Sequence, residues 1–161
     1  MHHLDDIQWH VAYLTYHDSD ARYQELQKFW GARSVSTQCL GYKDDYRDIE
    51  NHTCSFDTVQ ADIDIGKLCA HYDIVLTHSA DGDYGHLHHI FVHGSVVRHH
   101  PLVITFAAPG QGTHHYELDT TAYDINELPM HGSIVWDFHR DGHRNSYHVP
   151  DAVQQLLGDL L

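Results

Sequence analysis

Two histidines three residues apart, His86 and His89, follow a glycine-containing loop in the stretch Thr77-His78-Ser79-Ala80-Asp81-Gly82-Asp83-Tyr84-Gly85-His86-Leu87-His88-His89. Residues three apart share a helix face, so both imidazoles can point into one pocket and there hold a metal ion or move a proton. Gly82 and Gly85 suit a loop whose backbone must approach something closely. The chain carries 19 histidines among 161 residues, and pairs such as His2-His3, His99-His100 and His114-His115 recur along it. The H-x-x-H spacing alone is therefore cheap. Thr77-His78 and Asp83-Tyr84-Gly85 ahead of it make the stretch specific.

The surrounding elements must place these side chains. The apolar run Asp73-Ile74-Val75-Leu76 leads into the loop, and His89-Ile90-Phe91-Val92-His93-Gly94-Ser95-Val96-Val97 leaves it with a helix-like pattern. Strand, loop and helix in that order form a crevice at the carboxyl end of a strand, where open α/β sheets put their ligands. The pattern predicts strands over 8–15, 34–40, 73–77 and 102–106, with a short one near 115–118. It predicts helices over about 20–30, 55–71, 86–99 and 151–161. Tyr23, Leu26 and Trp30 recur at helical spacing as core positions, and Val59, Ile63 and Leu68 are read as one side of the second helix. Alternating strands and helices imply an α/β protein: a Rossmann-like, mostly parallel sheet with helices on both faces, in a single domain over 1–161.

Asp and Glu total 23 against 9 Lys and Arg, a formal charge of -14. Such a surface repels nucleic acid and anionic membranes, so neither is an expected partner. No apolar run reaches membrane-spanning length, and the N-terminus lacks the features of a secretory signal. Cys39, Cys54 and Cys69 form no C-x-x-C pair. Reduced thiols and a cytoplasmic location are the expectation.

The stretch from Thr77 to His89 resembles the PIG-L/LmbE family of zinc-dependent N-acetyl-sugar deacetylases, whose motif reads T-H-x-x-x-G-[DE]-Y-G-H-x-x-H after a strand. The resemblance implies that His89 binds zinc, that His86 assists at the reacting carbonyl and that Tyr84 supports the oxyanion. It continues more weakly through Leu14-Thr15, Arg22 with Glu25, and Leu40-Gly41-Tyr42-Lys43-Asp44, so that it runs in order from about residue 8 to 106. By the same resemblance Arg22 and Asp44 line the substrate side of the pocket. Read locally, Arg22 with Glu25 is equally a surface ion pair, and Asp44 a turn residue.

The family carries the other half of its site in an N-terminal H-P-D-D-E motif. Here the counterpart is His3-Leu4-Asp5-Asp6-Ile7. Carried over, His3 and Asp6 are metal ligands and Asp5 is the general base. The family places a strand before that motif and a helix after it, and this chain has room for neither. Two readings follow. Either His3, Asp5 and Asp6 serve in a shortened architecture, or the match is accidental and the family's first strand is missing. Spacing favours the second. A sheet without its central strand leaves open edges, which is compatible with a homo-oligomer.

The resemblance thus implies a zinc-dependent hydrolase that removes the acetyl group from an N-acetylated sugar, such as an N-acetylglucosamine derivative, or a related amide. The alternative is a non-catalytic relative that has lost part of the metal site and acts as a binding or assembly module. A fallback metal set is His17, Asp18 and His89, although read locally His17 and Asp18 are a loop and a helix cap. His78 also ends a strand at the edge where His86 lies, although the resemblance implies a structural role for it, and His93 is read as packed beneath the site. A histidine-based metal store is the remaining option, and the spread of the histidines along the chain disfavours it.

Overall fold

The computed structural model describes residues 7–44, 54–107, 111–116 and 145–158. The chain divides into two compact units, Met1–Asp44 with Glu117–His143, and Asp45–Tyr116 with Arg144–Leu161.

In the first unit, β1 (His10–Tyr13) pairs in parallel with β2 (Ser36–Cys39), in the register His10 with Ser36 and Tyr13 with Cys39. The crossover is α1 (Ala21–Gly31), which buries Tyr23, Leu26 and Phe29. Positions three apart keep one face towards the sheet. The sequence pointed to Trp30 in place of Phe29. Trp30 is half-buried instead, and its indole N–H donates to the Tyr13 hydroxyl at 2.7 Å, so the ring has a polar partner. Helix α1 starts after Asp20, which makes no side-chain cap; its carboxylate accepts from the His17 backbone N–H at 2.8 Å.

In the second unit, α2 (Thr58–Cys69) begins where the Asp57 carboxylate accepts from the N–H groups of Val59 and Gln60, both at 3.0 Å. Its buried face is Ala61, Ile65 and Cys69, whereas Val59 and Ile63 are exposed. The sequence grouping of Val59 and Ile63 with Leu68 therefore missed the face that packs. Strand β3 (Val75–Thr77) leads to the single turn α3 (Gly82–Gly85) and to α4 (Leu87–His99). Strand β4 (Val103–Ala107) returns parallel to β3, pairing Val75 with Val103 and Thr77 with Thr105. Strands β5 (His114–Tyr116) and β6 (Asn145–His148) complete a four-stranded sheet in the order β3-β4-β6-β5. Strand β6 is antiparallel to both neighbours. The last helix, α5 (Asp151–Leu157), buries Val153.

The protein is thus mixed α/β, with parallel crossovers in both units and an antiparallel C-terminal strand pair in the second. The sequence did not anticipate β6. Its sequence, Asn145-Ser146-Tyr147-His148, puts a polar residue at the buried position Ser146 and lacks the apolar alternation that marks a strand.

Helices α2 and α4 pack through an apolar end and a polar end. Phe56, just before α2, meets Phe91 edge-on at 5.4 Å. Farther along, Asp62 accepts from Ser95 Oγ at 2.6 Å, from His99 Nε2 at 3.1 Å and from Arg98. Gly66 lets the His99 ring close in, since a Cβ there would lie 2.9 Å from the ring. Among the described residues no helix is long and apolar enough to cross a membrane, and all three cysteines are free thiols.

Candidate metal centre

Strand β3 ends at Thr77, and the chain turns at its carboxyl end. Gly82 has φ +74° and Gly85 φ +86°, both in the left-handed region. Asp83 between them is also left-handed, at φ 68°, a conformation that Asp tolerates better than most residues. A Cβ on Gly82 would lie 2.7 Å from Ile90 Cγ1, so glycine is required there both for φ and for space.

This backbone turns the Asp83 carboxylate back towards the end of β3. Its Oδ2 accepts from His78 Nδ1 at 2.6 Å and from His89 Nδ1 at 2.9 Å. Its Oδ1 accepts from the Ser79 backbone N–H at 3.0 Å and from Ser79 Oγ at 2.9 Å. Ser79 Oγ in turn accepts from the Asp83 N–H at 2.7 Å and also contacts the Asp81 carboxylate. A hydroxyl has one proton, so Asp81 and Asp83 share it. Both carboxylate oxygens of Asp83 are therefore engaged, and the group cannot rotate without losing partners.

Burial pushes the Asp83 carboxyl up, but hydrogen bonds from His78, His89 and the Ser79 N–H outweigh it and hold the acid well below its ordinary range. Asp83 is an anion across the physiological range. The imidazoles facing it therefore donate from Nδ1.

The rings stack. His78 lies on His89 with centroids 3.7 Å apart and planes within 10°. His86 lies on the His89 ring at 4.5 Å. His86 is also the N-cap of α4, its Nδ1 accepting from the His88 N–H at 3.3 Å. That contact leaves the proton of a neutral His86 on Nε2. His93, one turn beyond His89, donates from Nδ1 to the His78 carbonyl at 2.8 Å, which ties α4 to the end of β3. His88 is buried against Phe56 at 5.2 Å and belongs to the core.

His78, Asp83 and His89 offer three ligand atoms that all lie within 4.8 Å of one another, and they could hold a metal ion. Two imidazoles and a carboxylate are a donor set suited to zinc. Ligand atoms around a tetrahedral zinc sit about 3.3 Å apart, given bonds of about 2.0–2.1 Å. The Nδ1–Oδ2 distances of 2.6 and 2.9 Å are those of hydrogen bonds, so the cluster must open by several tenths of an ångström. The parallel rings must also tilt until their lone pairs converge. An off-rotamer side chain costs about 0.5–1.5 kcal/mol, so tilting both rings costs about 1–3 kcal/mol.

Of the residues singled out from sequence, His86 and His89 come together here. Tyr84 lies in α3, and its side chain is outside the described residues, as are His3, Asp5 and Asp6. Arg22 and Asp44 belong to the first unit, where both act on Tyr16. The Arg22 guanidinium lies 5.8 Å from the Tyr16 ring. Burial pushes the Tyr16 phenol up, Arg22 pulls it down and Asp44 pushes it up again. His17 and Asp18 also lie in that unit, where the Cys39 thiol donates to Asp18 at 3.3 Å. The sequence assigns Asp83 no role of its own, and the resemblance implies a structural role for His78 at this strand end. The acidic residue between two histidines was the available signal. Its weight depends on the left-handed turn at Gly82-Asp83, which spacing does not reveal. Set against known proteins, the chain matches no family model, no curated protein and no solved structure.

Proposed function

We propose that this chain is a zinc-dependent amide hydrolase of the PIG-L/LmbE kind, removing the acetyl group from an N-acetylated sugar or related amide. The observation that carries the reading is the gathering of His78, Asp83, His86 and His89 at the carboxyl end of β3, within the stretch that resembles the family motif. The parallel crossovers β1-α1-β2 and β3-α4-β4 support a Rossmann-like sheet. A zinc held at His89 would supply a Lewis acid for the acyl oxygen and a water acidified towards neutral pH. In the metal-free cluster Asp83 accepts from His89 Nδ1 and so fixes the orientation of that ring. His86, with its proton on Nε2, is suited to donate to an acyl oxygen as negative charge develops there. The resemblance adds Tyr84 at the same oxygen and Asp5 as the base that takes the water proton.

The test is acetate release from a panel of N-acetylhexosamine glycosides by the zinc-loaded chain, with a chelator and His89→Ala as controls. The reading expects hydrolysis that chelation and His89→Ala both abolish. A zinc-loaded protein that binds such a glycoside without cleaving it would identify the non-catalytic binding module instead.

A further inference from the structure

We propose that His78, Asp83 and His89 are the ligands that the described residues supply to one zinc site within residues 78–89. This deepens the functional reading above and rests on it for the identity of the metal. It differs in the ligands, because His78 and Asp83 stand in place of His3 and Asp6. Three features of the second unit support it. A single carboxylate oxygen already faces both Nδ1 atoms, so one ion can replace the two shared protons. The other oxygen is fixed by Ser79, which keeps the carboxylate turned to the histidines. His93 fixes the backbone of His78 through its carbonyl, and His89 is held on the first turn of α4. Two nitrogens and one oxygen leave a tetrahedral zinc one open position, as a catalytic site needs.

Nδ1 ligation carries a mark of its own. In the metal-free cluster the Nδ1 of each ring carries the proton that faces Asp83. When zinc takes Nδ1, each ring moves its proton to Nε2, and the carboxylate changes from hydrogen-bond acceptor to ligand. No proton need be lost from either ring. If zinc instead sat on the Nε2 atoms, with Asp83 supporting from behind, the protons would stay on Nδ1.

Two measurements on the full chain decide it. In competition titrations with a zinc chelator, His78→Ala and Asp83→Asn should each weaken zinc by more than about a hundredfold, beyond what loss of a supporting partner costs, while His3→Ala/Asp6→Ala should leave affinity unchanged. In nitrogen-15 imidazole spectra of the wild-type chain, zinc should move the His78 and His89 protons from Nδ1 to Nε2. The spectra keep the proposal testable should a variant fail to fold. Loss of zinc in His3→Ala/Asp6→Ala with retention in His78→Ala would overturn the ligand set and leave the hydrolase reading standing, as would unchanged Nδ1 protons. A wild-type chain that takes up no zinc overturns both.

Discussion

Replacing Asp83 by Asn in the metal-free protein removes one charge and one acceptor at the centre of the cluster. Asn accepts the left-handed backbone at φ 68°, so the substitution does not add backbone strain. The carboxylate receives four hydrogen bonds, two from imidazoles at Oδ2 and two from Ser79 at Oδ1. An amide keeps one oxygen, and its NH2 group must face the donors at one end. With the oxygen kept towards the histidines, the Ser79 N–H loses its acceptor. An unsatisfied, partly buried N–H costs about 1–3 kcal/mol, and the remaining bonds lose the extra strength of a charged acceptor. The side chain keeps 25% of its surface exposed, so water recovers part of this. A net loss of about 2 kcal/mol is expected at pH 7, within the usual range for breaking a partly buried network. The pH dependence has a definite sign. The Asp83 pKa is depressed in the folded state, so its contribution is full above the unfolded value of about 4. It is lost as pH falls from there towards the lower folded value. The gap between wild type and Asp83→Asn should therefore close on acidification below about pH 4. Trp9 and Trp30 lie in the first unit, so their fluorescence is the wrong probe. Amide hydrogen exchange along β3 and α4, with a chelator present, reads the second unit directly. Equal protection in the two proteins at pH 7, or a gap that persists unchanged in acid, would refute the reasoning.

Three further outcomes are expected. Gly82→Ala should destabilise the second unit by about 2 kcal/mol, through left-handed strain of about 1–2 kcal/mol and contact with Ile90; Gly82→Ala/Ile90→Ala should recover only the contact part, read by the same exchange. Gly66→Ala should push the His99 ring from Asp62 and destabilise, whereas in a His99→Ala background the higher helix propensity of Ala should make it stabilising; a double-mutant cycle in thermal unfolding reads the sign change. Burial pushes the Tyr13 phenol up to about 12 despite its bond from Trp30. Its folded pKa lies above the unfolded one, so its contribution is complete below about pH 10 and is lost as pH rises towards the folded value. Tyr13→Phe should flatten that alkaline loss, and a first unit whose Trp30 fluorescence shows the same alkaline loss in both proteins would contradict this.

The strand, loop and helix around His86 and His89 were legible because apolar periodicity and glycine placement depend on neighbours in sequence. Helices α1, α2 and α4 each begin and end within a few residues of the spans the sequence predicts. The packed face of α2 was not legible. Periodicity finds apolar residues, whereas the buried face is Ala61, Ile65 and Cys69, two of them small, and Val59 and Ile63 stay exposed. Strand β6 was hidden because pairing on both edges, and not an apolar pattern, places its residues. The same limit applies at the site. His89 stands out by spacing, whereas Asp83 acquires its place from two left-handed residues in succession and from the bonds Ser79 makes to it.

The central claim is that the cluster at the end of β3 holds one zinc, and elemental analysis of the purified chain after zinc loading and dialysis tests it most directly. About one zinc per chain, lost in His89→Ala, is the expected result. A wild-type chain that retains no zinc, or a His89→Ala variant that retains as much as wild type, would contradict the account.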